Sequence, residues 1–216
     1  MPEAWMRERK RDYYYRRAKE EKYRSRATYK LLQAAEKYRF LQKGDVVVDL
    51  GAAPGGWLQA ARKIVGTQGF VLGVDMKYIE PFDASNVLTL IGDIADPETQ
   101  KHVEEVLPSL ADAVVSDVSP NISGVWEIDH ARQVDLARVS LSIALRVLTK
   151  SGSFFVKVFQ GDMFRDFVEE MRKNFVRVEV VKPGASRSKS AEVFVLGMGL
   201  RGKREISGES SGPVKG

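Results

Sequence analysis

Lys157 interrupts the apolar run Phe154-Phe155-Val156-Lys157-Val158-Phe159, where alternation along an extended strand puts it on the same face as Phe155 and Phe159. A lysine in such a place either snorkels from a strand end or does chemistry, because burial or a neighbouring cation favours the neutral amine that accepts protons. Lys30, in Arg26-Ala27-Thr28-Tyr29-Lys30-Leu31, is a candidate for that cation. Glu192 opens another apolar run and is either an ordinary edge carboxylate or a further polar group at the same mouth. Four aspartates, Asp49, Asp75, Asp93 and Asp117, lie in or next to the ends of successive β-branched runs. Taken singly, each reads as a helix cap or turn residue. Repetition at four strand ends points instead to carboxylates converging on one edge of a sheet.

The stretch Val47-Val48-Asp49-Leu50-Gly51-Ala52-Ala53-Pro54-Gly55-Gly56-Trp57 places a glycine-rich turn between a buried strand and a helix, which is where open α/β sheets bind ligands. The spacing is not GxGxxG, so the dinucleotide fingerprint of a dehydrogenase is absent. Clustered carboxylates repel a pyrophosphate but suit a ligand with ribose hydroxyls, an adenine amine, an ammonium group and a sulfonium charge. S-adenosylmethionine carries all four. The sequence has no cysteine, which closes thiolate zinc sites and cysteine nucleophiles, including the nucleophile that carbon-5 pyrimidine methylation uses. His102 and His130 have no second histidine at ligand spacing, so no metal site is expected and both read as surface or internally satisfied residues.

The elements that must position these groups alternate strand and helix from Asp45 onward, which predicts a doubly wound α/β sheet. Strands are expected at Asp45 to Leu50, Phe70 to Asp75, Val87 to Asp93, Ala113 to Asp117, Ser153 to Phe159, Arg177 to Lys182 and Glu192 to Met198. A helix is expected over Asp129 to Leu148 with Leu136, Val139, Ile143, Ala144 and Val147 on its inner face. Pro183 to Ser190 is too short for a crossover, so the last two strands should be antiparallel. The 216 residues suit one domain, divided here into a basic aromatic arm (1–24), a catalytic body (25–200) and a flexible basic tail (201–216).

The net charge of +5 is unevenly placed: residues 1–30 hold eleven Lys or Arg against five Asp or Glu, and five of the seven tyrosines. Basic ends around an acidic middle favour a polyanionic partner, with a solvated surface as the bland alternative. Tyrosines among arginines modestly favour stacking on bases over packing on the domain. No apolar run approaches the roughly 18 residues that cross a bilayer, and the charged N-terminus does not read as a secretory signal, so a soluble, cytoplasmic protein without a membrane partner is expected.

Four motifs together carry a resemblance: DLGAAPGGW at 49–57, SDVSPN at 116–121, FFVKVFQG at 154–161 and RSKSAEVFV at 187–195. Their order and spacing resemble the FtsJ-like family of RNA ribose 2′-O-methyltransferases, from about Ser25 to the last strand. The resemblance implies a Rossmann-like S-adenosylmethionine-dependent methyltransferase fold: α/β, with a seven-stranded, mostly parallel sheet and an antiparallel last strand. It implies a catalytic tetrad of Lys30, Asp117, Lys157 and Glu192, and cofactor contacts from Gly55, Trp57, Asp75, Asp93 and Asp117. Amine methylation typically resembles Asn/Asp-Pro-Pro-aromatic, whereas this chain has Asp117-Val118-Ser119-Pro120, favouring oxygen as the acceptor. The compact chain looks most like the branch acting, as a monomer, on a uridine of large-subunit ribosomal RNA. Transfer RNA as substrate, or a non-catalytic RNA-binding role in ribosome assembly, remain the alternatives.

Overall fold

The computed structural model describes residues 12–187 and 190–201. In chain order the elements are α1 (Tyr13–Glu20), α2 (Thr28–Tyr38), β1 (Val46–Leu50), α3 (Gly56–Val65), β2 (Phe70–Asp75), β3 (Val87–Ile91), α4 (Pro97–Val106), β4 (Ala111–Ser116), α5 (Trp126–Val147), β5 (Leu148–Phe159), α6 (Phe164–Asn174), β6 (Phe175–Val181) and β7 (Glu192–Leu200). Seven strands form one sheet in the order β3-β2-β1-β4-β5-β7-β6. The first five are parallel, as right-handed βαβ units require. β7 runs antiparallel to both β5 and β6, so the expected antiparallel pairing holds and extends to a second neighbour.

A strand covered on both faces needs apolar residues at every position rather than at alternate ones. β1 is buried along its whole length, and Phe154 and Phe155 of β5 are both fully buried on opposite faces. One face packs against α4, α5 and α6 through Val103, Val134, Leu141, Phe167 and Met171. The other packs against α2 and α3 through Leu31, Ala34, Trp57 and Leu58. Burying each such large side chain contributes about 1.5–3 kcal/mol.

Two expectations shift. The inner face of α5 is rotated from the one periodicity suggests: Ile143, Ala144 and Val147 are buried, but Leu136 and Val139 are only half-buried. Val134, Ala137 and Leu141 share the interior with polar Gln133 and Ser140, each of which is hydrogen-bonded there. His130 is not a surface residue. It is buried, its Nε2 accepts the Met163 amide at 3.1 Å, and its Nδ1 has no protein partner.

The described part of the arm, α1, is docked. Asp12 caps it by accepting the Tyr15 amide at 3.2 Å, and Arg26 is ion-paired to Asp12. Tyr14 and Tyr23 pack on Tyr29, with ring centroids 5.4 and 5.6 Å apart, around Ala18 and Ala185. These two tyrosines therefore serve packing, whereas Tyr13 is exposed. Residues 1–11 of the arm and 202–216 of the tail lie outside the described residues.

Candidate active site

The carboxyl ends of β1, β2 and β4 carry Asp49, Asp75 and Asp117, and the three are close enough to feel one another's charge. Asp49 is fully buried and neither oxygen has a protein hydrogen-bond partner. Its carboxyl is pushed well above the usual range, first by burial and then by the charges of Asp117 and Asp75. Asp75 is anchored: Oδ2 accepts the Ala53 amide at 3.0 Å and Oδ1 the Lys77 amide at 2.8 Å. A carboxylate has about four lone-pair sites, so these two bonds aim it and leave acceptor capacity for hydroxyls. Asp93 lies two residues beyond β3, exposed, with Oδ1 accepting the Ala95 amide at 2.9 Å.

Between β1 and α3 the turn passes through Gly51 at φ +78° and Gly55 at φ +106°. A Cβ at Gly51 would lie 2.6 Å from the Val118 side chain, and one at Gly55 would lie 2.8 Å from Arg24 Nη1. Glycine is required at both positions, because the backbone is left-handed and Val118 or Arg24 already packs where a side chain would go. Arg24 braces this turn: its guanidinium donates to the carbonyls of Glu80 at 2.6 Å and Pro81 at 2.9 Å, and lies 3.9 Å over the Phe82 ring. The Trp57 indole points into the core, stacking on Phe155 at 5.7 Å and donating to the Ala27 carbonyl at 2.8 Å. What position 57 offers a ligand is therefore its backbone in the first turn of α3, where amide N–H groups lack helical partners. A glycine-rich turn beside the half-buried carboxylates of Asp75 and Asp117 fits a cationic, hydroxyl-bearing ligand such as S-adenosylmethionine, and does not fit a pyrophosphate.

Beside this turn the structure brings together all four members of the expected tetrad. Lys157 Nζ lies 3.0 Å from Asp117 Oδ1 and donates to the Asp117 carbonyl at 2.8 Å and to Ser119 Oγ. Two hydrogen bonds thus hold Nζ, while Asp117 Oδ1 is an ion-pair neighbour that accepts no hydrogen bond. Lys30 Nζ lies 2.6 Å from Glu192 Oε1 and 3.9 Å from Asp117 Oδ2, so Asp117 sits between the two lysines. Side-chain exposure runs from 5% for Lys157 to 19% for Asp117, which opens the group to a substrate without dissolving it in solvent. Four elements deliver these residues: α2 brings Lys30, the β4 end Asp117, β5 Lys157 and the β7 start Glu192. Register places Lys157 opposite Phe194 and Phe159 opposite Glu192, so the neighbouring strands bring Lys157 and Glu192 to one edge.

Sequence reasoning missed the supporting residues. Ser119 completes the Lys157 acceptor set, Ser186 donates to Glu192 Oε1 at 3.2 Å, and Gln133 Nε2 donates to the Lys157 carbonyl at 3.0 Å. Ser119 lies inside SDVSPN, which was the available signal; Ser186 and Gln133 had none.

The FtsJ-like methyltransferase family model matches residues 23–200. The ribosomal RNA large subunit methyltransferase E of Methanococcus aeolicus is 49% identical over 200 residues, covering 93% of this chain and 74% of the relative. That of Methanothermobacter thermautotrophicus is 47% identical, covering 95% and 97%. A Plasmodium falciparum crystal structure, described as a ribosomal RNA methyltransferase, superposes with a TM-score of 0.71 at 24% identity over 82% of this chain and 98% of its own, which speaks to fold alone. The chain belongs to the FtsJ-like methyltransferase family, and is an enzyme that uses S-adenosylmethionine.

Proposed function

We propose that this enzyme methylates the ribose 2′-hydroxyl of a nucleotide, a uridine, in large-subunit ribosomal RNA, acting as a monomer in the cytoplasm where ribosomes are. The observation that carries the reading is the unbroken chain of contacts Glu192–Lys30–Asp117–Lys157 beside the glycine-rich turn. One chain supplies all four groups, so no second copy is needed to complete the site. The names of the relatives supply the RNA class.

S-adenosylmethionine, when bound, supplies a methyl group made electrophilic by the sulfonium. Gly55, the first turn of α3, Asp75 and Asp93 would hold it, the carboxylates through its hydroxyl and amine groups. Lys157 Nζ, acting as the neutral amine, takes the proton of the 2′-hydroxyl and becomes the ammonium as the oxygen becomes a nucleophile. Asp117 fixes that Nζ through both its carboxylate and its own carbonyl, which removes the rotational freedom that a four-carbon stem otherwise keeps. Lys30, held by Glu192, keeps a positive charge 3.9 Å from Asp117 and steadies the ribose as oxygen charge develops. Holding an in-line geometry of this kind is worth several kcal/mol of barrier.

The experiment that tests the reading maps 2′-O-methylated nucleotides in total RNA from cells with and without the gene. One large-subunit position should lose its methyl group and regain it on complementation with the wild type but not with Lys157→Ala. A missing methyl in transfer RNA would move the substrate. An unchanged map would return the chain to RNA binding without catalysis.

A further inference from the structure

Trp126, at the start of α5, presents an aromatic ring to solvent beside the transfer site, and nothing in the tetrad uses it. The indole is 44% exposed although it is stacked on two rings, His130 at 5.6 Å and 14°, and Phe159 at 6.0 Å and 20°. Phe159 is two residues past Lys157 on the same face of β5 and is the register partner of Glu192. The stack therefore begins within about 7 Å, along the strand, of the residue that handles the hydroxyl proton.

The ring is also held before any partner arrives. Asp129 Oδ1 accepts the Ser123 amide at 2.7 Å and the Ser123 hydroxyl at 2.8 Å, and its Oδ2 accepts the Gly124 amide at 3.0 Å. The Ser123 amide is the largest of the causes that hold this carboxyl below its ordinary range. Ser123 Oγ in turn accepts the Val125 amide at 3.2 Å, so the segment immediately before Trp126 is bonded turn by turn. His130, one helical turn on, is locked from behind: its Nε2 accepts the Met163 amide, and Gly161 packs so closely on its ring that a Cβ there would lie 2.8 Å away. Arg132, exposed and near enough to Asp129 to act on its charge, adds a cation on the same helix.

Resting on the RNA methylation reading above, we propose that Trp126 is the stacking platform for an unpaired nucleobase of the substrate strand, placed on the Phe159 side of the tetrad so that the attached backbone brings its 2′-hydroxyl to Lys157. Unstacked bases offer a π-face that an aromatic ring receives at little ordering cost, and every base has one. The pre-fixed loop means that binding does not have to order the ring, the usual source of lost affinity. Continuity with the transfer site favours RNA over a protein partner as the occupant.

The test compares wild type with Trp126→Phe and Trp126→Leu. Leucine retains apolar volume against His130 and Phe159 but has no ring; phenylalanine keeps one. The RNA probes are large-subunit ribosomal RNA from cells lacking the gene, for methyl transfer, and a single-stranded oligouridylate, for binding by quenching of tryptophan fluorescence. Trp126→Leu should raise KM for RNA by roughly five- to 150-fold, the range that loss of one base stack produces, with Trp126→Phe retaining most of the affinity. S-adenosylmethionine affinity and thermal melting should stay near wild type in both. Oligouridylate should quench wild-type fluorescence more than that of Trp126→Phe, because Trp126 is the ring being covered. Equal RNA KM and equal quenching in Trp126→Leu would overturn the proposal while leaving the methylation reading intact, and would leave the surface to a protein or a second copy. A wild type that transfers no methyl to RNA would sink the methylation reading itself, and the quenching comparison would still decide whether Trp126 receives a base.

Discussion

Asp49 places an unpartnered carboxyl in the core, and Asp49→Asn tests what its proton contributes. The carboxyl is fully buried with no protein partner, and its proton is held well above the usual range by burial first and by Asp117 and Asp75 next. An unfolded chain releases that proton near pH ~3.9. Between that value and the folded one, only the unfolded state is ionised, so the contribution is full at acid pH and is lost as pH rises. Asparagine has no such proton. Each pH unit inside that window costs the wild type about 1.4 kcal/mol, and in a protein of this size each kcal/mol moves the melting temperature by about 2–4 °C. Thermal unfolding of the ligand-free protein at pH 5 and pH 8 should therefore show Asp49→Asn gaining on wild type as pH rises, by about 3–5 °C for each pH unit spent inside the window. Burial also raises Asp45, and hydrogen bonding lowers Asp129, but both groups are common to the two proteins and cancel in the difference. Parallel pH profiles would refute the argument, because they would mean that Asp49 ionises in the folded state as easily as in the unfolded one.

Lys157→Ala should abolish methyl transfer and leave S-adenosylmethionine affinity within about twofold by calorimetry; measurable turnover near wild type would remove the lysine from its role. Asp75→Ala should weaken cofactor binding by about tenfold or more, since it also frees the Ala53 and Lys77 amides that shape the turn. Asp93→Ala, which loses one exposed bond to Ala95, should weaken it less, and the reverse order in calorimetry would reject the assignment. For the arm, Arg16→Gln with Lys22→Gln removes two exposed charges without uncovering Tyr29. The slope of log affinity for RNA against log salt should flatten by roughly 0.7–0.9 per lost phosphate contact, and an unchanged slope would show that these cations touch no phosphate.

Much of this site was legible because chemistry breaks pattern. Lys157 stands out as a charge in an apolar strand, and the strand-end aspartates repeat at a position where alternation has no use for them. Lys30 and Glu192 had less contrast: each was one of two readings until the motif resemblance joined them in a tetrad, because the contacts that unite them span residues 30 to 192. The α5 face was misjudged for a specific reason. Gln133 and Ser140 point inward yet count as polar, and their hydrogen bonds to the Val118 and Lys157 carbonyls and to Ser116 become visible only when the strands are in place. The arm's tyrosines were ambiguous for the same kind of reason: a ring among arginines suits a base or another ring equally, and Tyr29 settles the matter for Tyr14 and Tyr23.

β7 is the last strand of the described chain, yet it lies between β5 and β6 and carries Glu192. During synthesis, every other member of the tetrad leaves the ribosome before it, and at about 5–20 residues per second Glu192 follows Lys157 by roughly 2–7 s. In that interval β5 has an open edge, β6 has no partner strand and Lys30 lacks its counter-ion. Insertion of β7 between β5 and β6 supplies all three. The gain of methyl transfer by a nascent or refolding chain should thus be timed by β7 insertion, which makes activity itself a clock for the final folding step.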